Sequence, residues 1–348
     1  MNKLKSLATQ FAAFVLLTTA GSLAAQELEG TLIVANRNGG SVSFIDLPGG
    51  IEMARHPIGA RVPHEMAISP NGRIALTSEY GTGDNPGSTV LIFDVPTASL
   101  IGEIELGPNT RPHSLDFLPD GRRAVVSMER AGAIALVDVF DRRIIDTFEV
   151  GGEDNHMVRV SPDGNTAYAA GRGGAGTLSI DDLTGQRETV VLETGEGAEG
   201  MAVSPDGSEV WVANRRAQSV SVIDTRRRRV SRTIEDQGFV GRVDISDGGR
   251  VLIPTGGVPG QPGQQEMRIF DVESDELIET EVVRGPAPGQ GGYSIHIVGE
   301  LVFAADRGTN QLVTFDLDDF PTSNVLVEGH DAPDGLVYSP LRMNAVTR

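Results

Sequence analysis

AEGMAVSPDGSEVWVAN, residues 198–214, decides how this chain is read. It is a short alternating strand, a Ser-Pro-Asp-Gly reversal, and a second strand rich in Val, Trp and Ala. Pro presets a turn dihedral and Gly accepts positive φ, so the reversal reads as a tight hairpin. The same pattern recurs along the chain. Its seven copies begin at His64, His113, His156, Glu199, Gly241, Tyr293 and Asp334, at intervals of 41 to 52 residues. Several short strands per repeat at such a period predict a β-propeller.

The ends of the chain complete the count. Residues 32–37, LIVANR, match residues 210–215, VWVANR, and SVSFID at 41–46 matches SVSVID at 219–224. The N-terminal part therefore supplies the second, third and fourth strands of a blade that lacks its first. Residues 334–340 supply that first strand. The reading is an all-β, seven-bladed propeller with four-stranded blades. Its ring closes by pairing N- and C-terminal strands, which removes the exposed edges of an open array.

Residues 1–25 carry Lys3 and Lys5, then an apolar run, then small residues ending in Leu-Ala-Ala. They read as a cleavable signal peptide, cut before Gln26, and residues 26–348 as one propeller domain. The apolar run is too short for a membrane span. A periplasmic or secreted location is expected. Among 348 residues there is no Cys, which excludes disulfides, thiolate ligands, a Cys nucleophile, attached c-type haem and a lipoprotein anchor. The net charge of −19 argues against nucleic acid and anionic membrane as partners. A monomer is expected.

The repeats resemble the YVTN family of β-propellers, through Val212-Ala213-Asn214, the following SVSVID, and the Ser-Pro-Asp-Gly turns. That resemblance implies the propeller fold over essentially the whole mature chain. It leaves function open, because propellers host many unrelated activities. Pro333-Asp334-Gly335-Leu336 is similar to the Pro-Asp-Gly-Met motif of gluconolactonase-type propellers, in which the Asp binds metal. The resemblance reaches Asp334 alone, and that family's Asn-Gly-Leu ligand motif is absent here.

The repeat direction places the first residue of each copy, the end of each second strand, and the long Gly/Pro-rich insertions on one face, the top. Three of the six His and one Glu share the first-residue position in consecutive blades: His64, His113, His156 and Glu199. Imidazoles with a carboxylate could hold a divalent transition metal. Equally, they could cap the strands and bond to neighbouring blades. Arg37, Arg172, Arg215 and Arg307 end four second strands, and Tyr80 and Glu129 hold the same position in two others. With Asp334 the four arginines are the candidate ligand-binding residues, since guanidinium groups suit carboxylate or phosphate. Pairing with nearby carboxylates is the alternative. Asp116, Arg159, Asp244 and His296 have the other strand parity and are expected lower in the channel.

No zincin helix, Gly-x-Ser-x-Gly elbow or Gly-x4-Gly-Lys-Ser/Thr loop is present. Two function classes remain. One is an exported propeller whose top face binds a small anionic molecule or a protein partner, with or without a metal. The other is a metal-dependent enzyme, a lactonase-like hydrolase or an oxidoreductase, using the His/Glu/Asp ring.

Overall fold

A computed structural model describes residues 28–344 apart from 60, 152–153, 236, 257–263, 275, 285–292 and 321–322. The expected signal peptide lies outside the described residues, as do parts of two long top-face insertions. Seven antiparallel sheets form a ring. Blades 2 to 5 are residues 63–105, 112–149, 155–193 and 198–234, each with strands in simple sequential order. Blade 6 spans 239–284. Its first strand is broken into Phe239–Val240 and Asp244–Ile245, both paired to Arg250–Gly256. Blade 7 spans 294–328.

Blade 1 is shared between the chain ends, as the sequence predicts. Pro333–Ser339 pairs with Gly30–Asn36, with Leu32 opposite Tyr338 and Val34 opposite Leu336. Gly30–Asn36 continues into Ser41–Leu47 and Ile51–Pro57.

Burial follows strand position. Middle strands are mostly buried, completely so in Ala133–Asp138 and Gly30–Asn36, so they read as largely apolar runs. Outer strands such as Arg143–Glu149 and Arg229–Ile234 are largely exposed or alternate with solvent. Among the described residues seven apolar clusters lie between consecutive blades. The cluster of Leu32, Val34, Leu301 and Phe303 joins blade 7 to blade 1. That of Ile33, Phe44, Leu76-adjacent Ala75 and Leu91 joins blade 1 to blade 2. Each sheet thus buries both faces against neighbours, and the ring is the arrangement in which none is left uncovered.

The repeated motifs have local causes. In the Ser-Pro-Asn-Gly turn, Ser69 Oγ accepts the Ile74 N–H at 2.9 Å and the Gly72 N–H bonds to the Ser69 carbonyl at 2.7 Å. Gly72 has φ +71°, and an added Cβ would sit 2.6 Å from Pro340 of blade 1. Gly164 and Pro119 repeat that close contact two blade interfaces further on. The Val-Ala-Asn…Ser-x-Ser signature is a buried amide clamp. Asn36 Nδ2 donates to Ser41 and Ser43, and Asn214 Nδ2 to Ser219 and Ser221, tying the second strand to the third.

The inner strands hold an irregularity that a period-two reading misses. In five blades the pairing between first and second strands slips by one residue just after the strand begins: between Pro63 and Met66, Pro112 and Leu115, Asn155 and Val158, Ala198 and Met201, and Pro333 and Leu336. Each slip is a β-bulge. It re-aims the side chains at the top of the channel.

Ring closure makes two predictions. Deleting residues 333–348 should lower the melting temperature by more than 10 °C or yield insoluble protein, because blade 1 loses its inner strand; a truncated chain that melts like the full-length one contradicts closure. In Gly335→Ala, the new Cβ would lie 2.4 Å from the His64 carbonyl oxygen, a backbone atom. That substitution should cost about 2 kcal/mol or more in denaturant unfolding.

Candidate functional site

The top of the channel is built by the bulged inner strands. His113 starts blade 3 and His156 starts blade 4. Their backbones are fixed by the preceding blade: Ser78 Oγ donates to the His113 carbonyl and Ser127 Oγ to the His156 carbonyl, both at 2.7 Å. The three imidazoles predicted to converge do so. Ring centroids of His64 and His113 are 4.4 Å apart, and those of His113 and His156 are 3.6 Å apart. All three are buried, His113 completely.

Each predicted residue has a definite place. Glu199 lies 3.7 Å from His156 Nε2 and accepts two hydrogen bonds from Arg215 at 2.9 Å. Asp334 is fully buried and meets His64 Nδ1 at 2.6 Å, off the line of a straight hydrogen bond. It also accepts from Ser294 at 3.0 Å and from Arg307, with Arg37 at 3.6 Å. Arg172 bonds Asp154 at 3.0 Å and Glu129 at 3.2 Å. The four arginines are therefore paired with carboxylates, and still a fifth to a third exposed toward the mouth.

Five more residues complete the site. Glu65, next to His64 in the bulge, is paired with Arg242, which stands beside Gly241 and reaches across the channel. Arg111 stacks on the Tyr80 ring at 4.1 Å, and Tyr80 Oη donates to Glu129 at 3.4 Å. Glu65 and Arg242 occupy the residue after the repeat's first position, which strict alternation assigns to the opposite face. The bulge is why Glu65 is here, and the break in the first strand of blade 6 is why Arg242 is. A look at that second position across the repeats would have flagged them as charged in two blades and small or apolar elsewhere. Glu129 ends a second strand, the same class of position that gives Arg172 and Arg215.

A cavity of ≈ 140 Å³ opens at this end, lined by Arg37, Arg172, Arg215, Arg242 and Arg307, with His64, His156, Tyr80 and Glu199. Five guanidinium groups face one carboxylate across that wall; Asp334, Glu65 and Glu129 lie behind it. Lower in the channel, Asp116, Arg159, Asp244 and His296 line a second cavity of ≈ 200 Å³, as their parity predicts. Asp116 accepts the Val160 N–H at 2.8 Å and Asp244 the Ile297 N–H at 2.9 Å, so both lock adjacent blades together.

The electrostatics follow from burial and pairing. Burial works against the ionised carboxyl of Glu199, but His156, Arg215 and Arg242 outweigh it and hold it down at about 2. Burial likewise opposes ionised Glu129, and His156 with Arg172 brings it to about 2. Arg307 and His64 overcome burial to keep Asp334 well below the usual carboxylate range. Burial, reinforced by His156, His64 and nearby arginines, pushes His113 well below an ordinary imidazole, so it is neutral at pH 7. Burial and the Glu129 charge raise Tyr80 to about 12.

Comparison with known proteins supports the fold. No protein-family model matches the chain. It is 26% identical over 215 residues to the seven-bladed beta-propeller protein Rv1057 of Mycobacterium tuberculosis, covering 59% of this chain and 50% of that protein. The chain thus spans about half the length of the curated relative it matches. Among solved structures, a functionally unknown protein from Desulfotomaculum acetoxidans superposes with a TM-score of 0.73 at 14% identity, over 90% of this chain and all of that one. Kuenenia stuttgartiensis hydrazine synthase superposes with a TM-score of 0.60 at 21% identity, over 74% of this chain and 77% of that one. The fold and these likenesses define the class: a seven-bladed β-propeller. Among the described residues no helix is long and apolar enough to cross a membrane.

Glu129 and Glu199 ionise below their unfolded value of 4.5, so their stabilisation is present above that pH and is lost as pH falls toward 2. Thermal melts should show an acid limb between about pH 4.5 and 2 that is shallower in Glu199→Gln. The difference should be on the order of 2 kcal/mol, allowing for the charge that Glu129 and Glu199 share through His156. An unchanged limb contradicts the pairing.

Proposed function

We propose that this chain is an exported propeller of the YVTN type, acting as a monomer, whose top-face cavity binds a small anionic ligand of the carboxylate or phosphate class. The single observation that carries the reading is the cavity wall, with five arginines against one carboxylate in a chain of net charge −19. The carboxylates that pair these arginines lie mostly behind the wall, so the cavity itself is presented with guanidinium N–H donors, the groups that recognise a small carboxylate or phosphate. The buried carboxylates serve this arrangement. Asp334, Glu65 and Glu129 fix the guanidinium groups from behind, so little side-chain entropy is lost when an anion enters. The volume of ≈ 140 Å³ suits a small molecule rather than a folded partner. Export rests on the leader-like residues 1–25.

The second reading is a metal-dependent enzyme, a lactonase-like hydrolase or an oxidoreductase. It is favoured by the buried His and Glu groups beside the same cavity, which bring several potential donor atoms within 4.8 Å of one another. An anion held by the arginines would then be a substrate rather than a cargo.

Isothermal titration with inorganic phosphate and with succinate tests the first reading. At least one should bind at a 1:1 ratio, raise the melting temperature, and weaken as salt rises. Arg215→Gln should reduce affinity about tenfold, or about 1.4 kcal/mol, with melting temperature in ligand-free buffer changed by only a few degrees. If neither anion binds, or if Arg172→Gln and Arg215→Gln leave binding intact, the reading fails.

A further inference from the structure

Two trios of buried donors meet at the imidazole cluster: His64, Glu65 and His113, and His113, Glu129 and His156. They differ in what their donor atoms already do. In the first, the Glu65 carboxylate is committed to Arg242, and His64 Nδ1 lies against Asp334. In the second, each residue has an atom without a partner. Glu129 Oε1 is taken by Arg172 and Tyr80, while Oε2 is buried and bonds to nothing. His156 Nε2 lies near Arg172 at 3.5 Å and Glu199 at 3.7 Å, while Nδ1 is buried and has no hydrogen bond. Neither ring nitrogen of His113 has a hydrogen bond, though the residue is completely inaccessible.

Unpaired buried polar atoms are costly, and here one potential donor atom from each of His113, Glu129 and His156 lies within 4.8 Å of the others, as a shared ion requires. The open atoms of His156 and Glu129 are 3.7 Å apart. That is too long for a hydrogen bond. It is close to the separation of adjacent ligands on a tetrahedral ion with bonds of about 2.0–2.1 Å, which is about 3.3 Å.

We infer that His113, His156 and Glu129 hold a single divalent first-row transition ion of the Zn²⁺ or Fe²⁺ kind, in a two-histidine, one-carboxylate site behind the arginine-lined cavity. Two imidazoles and a carboxylate match the N/O donor preference of these ions and leave coordination positions for water or another ligand. Arg172 and Tyr80 aim the Glu129 carboxylate, and Glu199, itself fixed by Arg215, stands 3.7 Å from His156 Nε2, on the ring nitrogen opposite the proposed ligand atom, where a small ring movement on metal binding would make it the carboxylate that orients a ligating histidine. Glu199, which shares a repeat position with the histidines, is thus a positioning residue here and Glu129 the ligand. The site stands on its own donor atoms, so it and the anion-binding reading can fail separately.

The test uses chelator-treated full-length protein in anion-poor buffer, titrated with Zn²⁺ and, for its visible absorption, with Co²⁺. One equivalent should bind and Zn²⁺ should raise the melting temperature. Glu129→Gln, which preserves side-chain size, should weaken binding at least tenfold, as should His113→Asn. Glu199→Gln should keep the 1:1 stoichiometry. Should His113→Asn fail to fold, Glu129→Gln with a circular dichroism melt decides alone. Absence of stoichiometric binding overturns the inference. So does binding that survives Glu129→Gln, or binding that is lost in Glu65→Gln or Glu199→Gln while Glu129→Gln retains it.

Discussion

Everything in this structure depends on the pairing of Pro333–Ser339 with Gly30–Asn36. A sheet with two apolar faces is stable only if both are covered. In an open array of seven such sheets the first and last would each expose one face and a strand edge. Joining the two chain ends within one blade converts that array into a ring. It also brings Asp334 against His64, although the two are 270 positions apart in the chain. The strand that closes the fold therefore also supplies a wall of the site.

The site is layered by charge. Asp334, Glu65, Glu129 and His113 lie deepest, and the arginines, with His64, His156, Tyr80 and Glu199, face the cavity. Each layer makes the other tolerable. Arg307 and His64 keep Asp334 ionised without water, and Arg215 and His156 do the same for Glu199. The guanidinium groups in turn are held by carboxylates rather than left to wander, so they present fixed donors to the cavity. Such a network is worth little as a stability device, since desolvating its charges offsets much of their attraction. Its value lies in a rigid polar surface at the centre of an otherwise apolar ring.

The bulges explain why this surface carries so many functional groups. With unbroken alternation, an inner strand would aim every second residue at the channel. The slip after the first residue lets two adjacent side chains, His64 and Glu65, both lie at the top of the channel. In blade 6 a break in the strand does similar work for Arg242, and the neighbouring Gly241 leaves room at the cavity wall.

The chain by itself determined the repeat, the strand order, the hairpin turns, the shared blade and the convergence of His64, His113 and His156. These rest on local rules: Pro and Gly dihedrals, alternation of apolar residues, and a position that recurs once per repeat. It also placed Arg37, Arg172, Arg215 and Arg307 on one face with Asp334. Only the tertiary structure decided which carboxylate each arginine meets, that His113 is completely buried, and that Glu65, Arg111 and Arg242 belong with them. A bulge shifts register by one residue without a fixed sequence mark, and partners from opposite sides of a ring are set by its closure. Pairings such as Glu65 with Arg242, across 177 positions, follow from that closure and from no feature near either residue.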